Sequence, residues 1–305
     1  MSGRALVIGE ALIDIVERDG RVLGEHVGGS PLNVAIGLGR LGRGVDFLTH
    51  IGDDERGHRI VDYVEASGVR LVSGSTGGEH TPTALARLDQ HGAADYTFDI
   101  EWQLSGTPEV APPLVAHTGS IAGFLAPGCL ATAALLDAYH LSATITYDPN
   151  VRPALIDDRN QATSRIERLV EKADVVKASD EDLRWIDPNR SPEQVATAWQ
   201  ALGPSIVAVT MGERGAFAVC AAGTVRVAAR PVEVVDTVGA GDSFMTGLID
   251  ALWTLNLLGA ERRRDLGRID LHALEGVLGE AVLASALTVA KAGADLPDRA
   301  ALRRG

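Results

Sequence analysis

The chain has 305 residues, 46% of them hydrophobic and 23% charged, with a formal net charge of −13. That length and apolar content support one large core and argue against wholesale disorder. The negative balance, with no basic face, argues against nucleic acid as a ligand. Cys129 and Cys220 are the only cysteines. They set neither a disulfide framework nor a metal spacing, and a reducing cytoplasm fits them. The apolar run at 5–8 is too short for a secretion signal, since Glu10 and Asp14 follow at once. The uncharged stretch 110–136 is broken by Pro112, Pro113, Pro127 and several glycines. It reads as a buried strand followed by a buried helix rather than a membrane span.

In chain order, short apolar runs alternate with helical patterns. The runs at 5–8, 47–51, 143–147, 175–177 and 206–210 read as buried strands. Segments 31–41, 57–67, 131–139, 161–171 and 192–202 read as helices. Such alternation predicts an α/β fold, a mostly parallel sheet with helices on both faces, whose ligands lie beyond the carboxyl ends of the strands. Two segments break the rhythm. Asp19-Gly20 marks one hairpin, and 83–100 reads as a second that turns near His91-Gly92, with Tyr96 and Phe98 alternating on its return strand. These predict a small accessory sheet, although ordinary surface hairpins would give the same pattern. Neither an internal repeat nor a linker is present.

Several motifs compete for function. Gly37-Leu-Gly39-Arg-Leu-Gly42 matches a dinucleotide-binding glycine pattern, but it ends a helix instead of opening one. Its glycines therefore read as a helix stop and close-packing points. There is no P-loop and no His-Glu-x-x-His, and the eight histidines are scattered. The string Asp236-Thr-Val-Gly239-Ala240-Gly241-Asp242 carries more. Phe244, Leu248 and Leu252 follow it at helical spacing, so the glycines sit where a helix begins. A helix start offers unpaired amides and a partial positive charge, which suit a phosphate. Asp242 in the first turn then reads as a base that takes a proton from an attacking hydroxyl. The plainer alternative is an aspartate that caps the helix.

The whole string resembles the C-terminal signature, DTxGAGD, of the ribokinase-like (PfkB) carbohydrate kinases. The resemblance implies a Rossmann-like three-layer sandwich with a mostly parallel central sheet and a small β lid. It makes residues 1–305 one kinase domain, with 14–31 and 79–104 forming the lid. It makes Asp242 the catalytic base, with Gly239, Ala240 and Gly241 as the anion hole. Gly28-Gly29-Ser-Pro-Leu-Asn33 is similar to the N-terminal signature, and Gly9-Glu-Ala-Leu-Ile-Asp14 goes with it. Asp14, Gly28, Gly29 and Asn33 are thus candidate sugar-binding residues, joined by Arg152 from the similar DxNxR stretch Asp148-Pro-Asn150-Val-Arg152.

Val176-Lys177-Ala-Ser179-Asp-Glu181-Asp182 occupies the place of the family's NxxE, with Ser179 and Asp182 instead of Asn and Glu. Lys177, Ser179, Thr210, Gly212 and Gly215 are candidates for the nucleotide side, the last three through a similar TxGxxG. Asp182 is the candidate for a metal held through water, and Asp236 with Val238 for a monovalent cation. The resemblance further implies ATP with Mg2+, K+ as an added ion, and a homodimer through the lid, with neither nucleic acid nor membrane as partner. Within the family, Glu10–Asp14, Gly29–Asn33 and the run 95–102 look most like fructokinases. The resulting expectation is ATP-dependent phosphorylation of D-fructose to fructose 6-phosphate in the cytoplasm. Another sugar kinase of the family, acting on ribose, 2-keto-3-deoxygluconate or a nucleoside, is the first alternative. A catalytically silent sugar-binding regulator is the alternative from another class.

Overall fold

The computed structural model describes residues 3–88, 94–104 and 108–304. Its strands are β1 (Arg4–Ile8), β2 (Leu12–Arg18), β3 (Arg21–Gly28), β4 (Gly44–Leu48), β5 (Ile51–Gly52), β6 (Val69–Leu71), β7 (Thr76–Gly78), β8 (Thr83–Leu88), β9 (Ala94–Asp99), β10 (Val115–Gly119), β11 (Thr144–Asp148), β12 (Val175–Ser179), β13 (Ile206–Thr210), β14 (Ala216–Cys220) and β15 (Gly223–Val227). Its α-helices are α1 (Ser30–Arg40), α2 (Glu55–Ala66), α3 (Gly128–Tyr139), α4 (Arg159–Lys172), α5 (Asp180–Ile186), α6 (Pro192–Leu202), α7 (Ala240–Thr254), α8 (Arg263–Leu266), α9 (Leu271–Val289) and α10 (Arg299–Arg304).

Nine strands form the central sheet in the order β15-β14-β13-β12-β11-β10-β1-β4-β6. From β13 to β6 every pairing is parallel, and β14 and β15 add an antiparallel edge. Strands covered on both faces need apolar side chains on both faces, hence the unbroken runs seen in the sequence. In β1, Val7 enters the core shared with α1, α2, α7 and α9, while Leu6 and Ile8 enter the core shared with α3, α4, α5 and α6. Two cores on one sheet make three layers. The strand order reverses between β1 and β10, which places a crevice at their carboxyl ends.

A second sheet has the order β3-β2-β8-β9. Segments 14–31 and 79–104 contribute to it, and a parallel β2–β8 pairing joins their two hairpins into one surface. The expected turn at His91-Gly92 lies outside the described residues. Tyr96 and Phe98 stack on β9 with ring centroids 6.0 Å apart.

Three expectations need correction. The run 47–51 is not one strand, because β4 ends at Leu48 and Ile51 pairs with Thr76 in a separate two-stranded sheet. The α3 helix is half-buried rather than buried, with Leu130 61% exposed, since only one side of it meets the sheet. The edge pair β14–β15 was not anticipated. The apolar α9 is long enough to cross a membrane, yet it packs on α7 and buries Leu274, Val277, Leu278 and Ala281 as a core helix. Gly247 permits that approach, for a Cβ there would stand 2.9 Å from the Cα of Ala281. Gly37 and Gly39 are indeed packing points, against Thr246 and the Ser67 carbonyl.

Leu248 on α7 is fully buried between the sheet and α9. Leu248→Ala should therefore cost about 2–5 kcal/mol of stability, read as a lower denaturant midpoint at unchanged slope.

Candidate active site

The α7 helix begins at the crevice. Gly239 adopts φ +76° at its N-cap, and no side chain caps the helix. A Cβ on Gly239 would fall 2.6 Å from the Cβ of Ala294, so both backbone and packing call for glycine. The Ala240 amide donates to the Thr237 carbonyl at 3.3 Å. The remaining first-turn amides, with the helix dipole behind them, make the anion-binding end.

Asp242 is buried in that first turn, and two residues of α1 hold it. Ser30 Oγ donates to its Oδ1 and Asn33 Nδ2 to its Oδ2, both at 2.7 Å. Asn150 Nδ2 donates to Ser30 Oγ at 2.8 Å, and Arg152 donates to Asn150 Oδ1 at 2.7 Å. Asn33, expected to face the sugar, thus also fixes the base. Asn150 is a non-glycine residue at φ +34°, a strained conformation at the end of β11. Ser120 does the same at φ +51° after β10.

The sugar-side candidates meet across β2 and β3. Asp14 is half-buried, and a Cβ on Gly28 would collide with its Oδ2 at 2.1 Å. Gly28 is therefore the residue that leaves room for the carboxylate. Burial raises the Asp14 pKa to about 6, against the pull of His26 and Arg152. Gly29 has φ +119°, and a Cβ there would lie 2.5 Å from the Glu10 carbonyl. Glu10 itself is buried at the β1 end, with Oε2 unpartnered among the described residues. Burial lifts its pKa to about 8, although its own backbone, Ser120 and Arg152 oppose the shift.

The nucleotide-side candidates divide. Lys177 is buried against Asp148 and borders Gly241. Ser179 caps α5, and its hydroxyl donates to Asp182 Oδ2 at 2.6 Å. Asp182 completes that capping box, and its Oδ1 accepts from the Val151 amide at 2.8 Å. Both residues thus have local structural tasks. Thr210 ends β13; Gly212 and Gly215, at φ +58° and +81°, form the turn into β14. Asp236 accepts from the Val238 amide at 3.0 Å and the Gly293 amide at 2.8 Å, tying this loop to the one after α9.

Sequence reasoning gave no site role to Ser30 or Glu10, and it placed Asp148 and Asn150 at the active edge without a role of their own. The strand-end position of Asp148 and Asn150 was the available signal. Nothing local marked Ser30, because its partner lies 212 residues away.

Known proteins resemble the chain in sequence and fold. A fructokinase from Rhizobium leguminosarum bv. trifolii is 36% identical over 281 residues, covering 88% of this chain and 85% of its own. A double-mutant fructokinase from Vibrio cholerae O395, in a form bound to fructose, ADP and potassium ion, superposes with a TM-score of 0.81 at 25% identity, over 99% of this chain and 97% of the other. Its form bound to fructose, ADP and calcium ion gives 0.80, over 99% and 98%. The model of the pfkB family carbohydrate kinases matches residues 3–300. With nearly its whole length matched by that model and a relative 36% identical to it, the chain belongs to the pfkB family of carbohydrate kinases.

Proposed function

We propose that the chain transfers the γ-phosphoryl group of ATP to a primary hydroxyl of D-fructose, giving fructose 6-phosphate. The carrying observation is Asp242, a buried carboxylate in the first turn of α7, held by Ser30 and Asn33 beside a glycine-lined helix start. Each carboxylate oxygen keeps a second lone pair for the sugar hydroxyl. Asp242 takes the hydroxyl proton as the bond to phosphorus forms, and the α7 amides receive the phosphoryl oxygens. The transition state is loose, so positioning and charge neutralisation supply most of the rate. Asp14, with Gly28 and Gly29 shaping its surroundings, orients the sugar, and Arg152 holds the cradle together through Asn150.

The fructose assignment draws on the relatives named above and on the look of 95–102. Magnesium neutralises phosphate charge when it enters with ATP. No cluster of three ligating side chains exists among the described residues, and Asp182 is occupied locally, which suits an ion carried mainly by phosphates. A monovalent cation beside Asp236 and Val238 is the further part of the reading, supported by the potassium-bound relative. The second sheet is the candidate lid. Exposed Val22, Leu23 and Tyr96 give its two edge strands apolar surface suited to a second copy of the chain. Free, buried Cys129 and Cys220 suit a reducing cytoplasm.

Asp242→Asn keeps shape and removes the proton acceptor. It should lower kcat about 10²–10⁴-fold in a coupled ADP-release assay, with ATP affinity little changed. Turnover within threefold of wild type would refute the base assignment, and a wild-type protein that binds fructose without turnover would favour the silent regulator.

A pH test addresses Asp14. Its carboxyl gains a proton as pH falls through about 6, so kcat/KM for fructose should be full above that pH and approach a tenfold loss per unit below it. Asp14→Asn should abolish this acid limb and reduce kcat/KM at pH 7.5 at least tenfold, the size of one charged hydrogen bond.

Across a panel, D-fructose should exceed D-ribose, 2-keto-3-deoxygluconate and nucleosides in kcat/KM. If another sugar ranks first while Asp242→Asn is dead, the kinase reading survives and the fructose reading does not.

A further inference from the structure

A buried cation lies directly beneath the start of α7. Lys177 is 3% exposed, and its Nζ donates to Oδ2 of Asp148, which is wholly buried, at 2.8 Å. Sheet register sets the pair: Thr146 and Tyr147 of β11 face Val175 and Val176 of β12, so Asp148 and Lys177 come next, side by side at the carboxyl ends. On the other flank, Gly119 of β10 pairs with Asp148, and a Cβ there would lie 2.5 Å from the Asp148 carbonyl. The ammonium stands 2.8 Å from the point where Gly241 would carry a Cβ. A side chain at Gly241 would therefore displace a cation as well as block a phosphate.

Carboxylates on three elements and an imidazole on a fourth surround this ammonium. Burial works against it, but Asp148 on β11, Asp182 on α5 and Asp242 on α7 more than offset that and hold its pKa above the ordinary lysine value. His117 on β10 faces it too; burial and the Lys177 charge push that imidazole down to about 3, so it stays neutral. A fully buried ion pair is a poor device for stability alone, since desolvation consumes most of the attraction. Beside an anion-binding helix start, the same pair has a use.

We propose that Asp148 is a positioning residue that holds the Lys177 ammonium against the first turn of α7, where the cation meets the phosphoryl group in transfer. This rests on the reading of that turn as the phosphoryl site. The transition state spreads negative charge over the equatorial oxygens. A fixed cation in a water-poor site stabilises that charge without reorganising. Lys177 acts on the phosphoryl group, and Asp148 acts through Lys177.

Three variants test this. Lys177→Met should lower kcat about 10²–10³-fold with fructose KM within threefold. By calorimetry it should weaken a non-hydrolysable ATP analogue at least tenfold more than ADP, because only the former carries the γ-phosphate. A merely structural lysine would weaken both alike, and that result, or a kcat within threefold of wild type, overturns the proposal. Asp148→Asn removes the nearest carboxylate, so burial gains weight and the Lys177 proton leaves more readily. The alkaline limb of kcat should move at least one pH unit lower than in wild type, and an unmoved limb overturns the positioning role. The double variant Asp148→Asn/Lys177→Met should fold even if Asp148→Asn does not, since it strands no charge. Its kcat should match that of Lys177→Met; a further tenfold loss would show that Asp148 acts independently. Wild-type turnover and the Asp242→Asn result judge the kinase reading separately.

Discussion

The constraint on which the site depends is the side-by-side start of α1 and α7. Ser30 and Asn33 open one helix, Asp242 opens the other, and two 2.7 Å hydrogen bonds join them across more than two hundred residues of chain. Those bonds demand that the helices lie close. Gly37 makes room for Thr246, and Thr246 in turn donates to the Asp242 carbonyl one helical turn back. Gly247 does the same for α9 on the far side. Each glycine trades side-chain packing for proximity, and the result is a carboxylate whose position three elements agree upon. Such agreement matters because displacing a reacting group by about an ångström can lower rates by roughly a hundredfold.

Much of this was legible in the sequence, for identifiable reasons. Strands 5–8 and 206–210 announced themselves as continuous apolar runs, since a sheet covered on both faces leaves no polar alternation. Helix 192–202 was read to the residue, because Ser191, Pro192 and Gln194 make a capping box at its start. The run 47–51 misled because apolar Ile51 follows closely on Phe47 and Leu48, while the backbone turns away at the polar Thr49 and His50 toward a different sheet. Asp242 was legible because its signal is local: glycines, a carboxylate and a helical stripe within one window. The roles of Ser30 and Glu10 were not, because they depend on contacts that only the strand order creates. Ser179 and Asp182 were visible but ambiguous, as a capping box and a ligand pair use the same residue types.

Acidic groups gather at this edge of the sheet to an unusual degree. Glu10, Asp14, Asp148, Asp182 and Asp242 all lie near it, yet each meets a different answer to its charge. Glu10 holds its proton at neutral pH, Asp148 faces Lys177, Asp182 accepts three donors from its own turn and the Val151 amide, and Asp242 rests on two neutral side chains. The separation of environments lets five carboxyl groups coexist where anionic phosphates must also enter. A change at one of these groups therefore alters the field at the others.

Strand β3 ends at Gly28, and Gly29 alone separates it from α1. On one side is the sheet that carries Asp14; on the other is Ser30, which grips Asp242. A displacement of β3 would reach Ser30 through these two residues. These two glycines therefore join the strand paired with the one that carries Asp14 to the residue that holds Asp242.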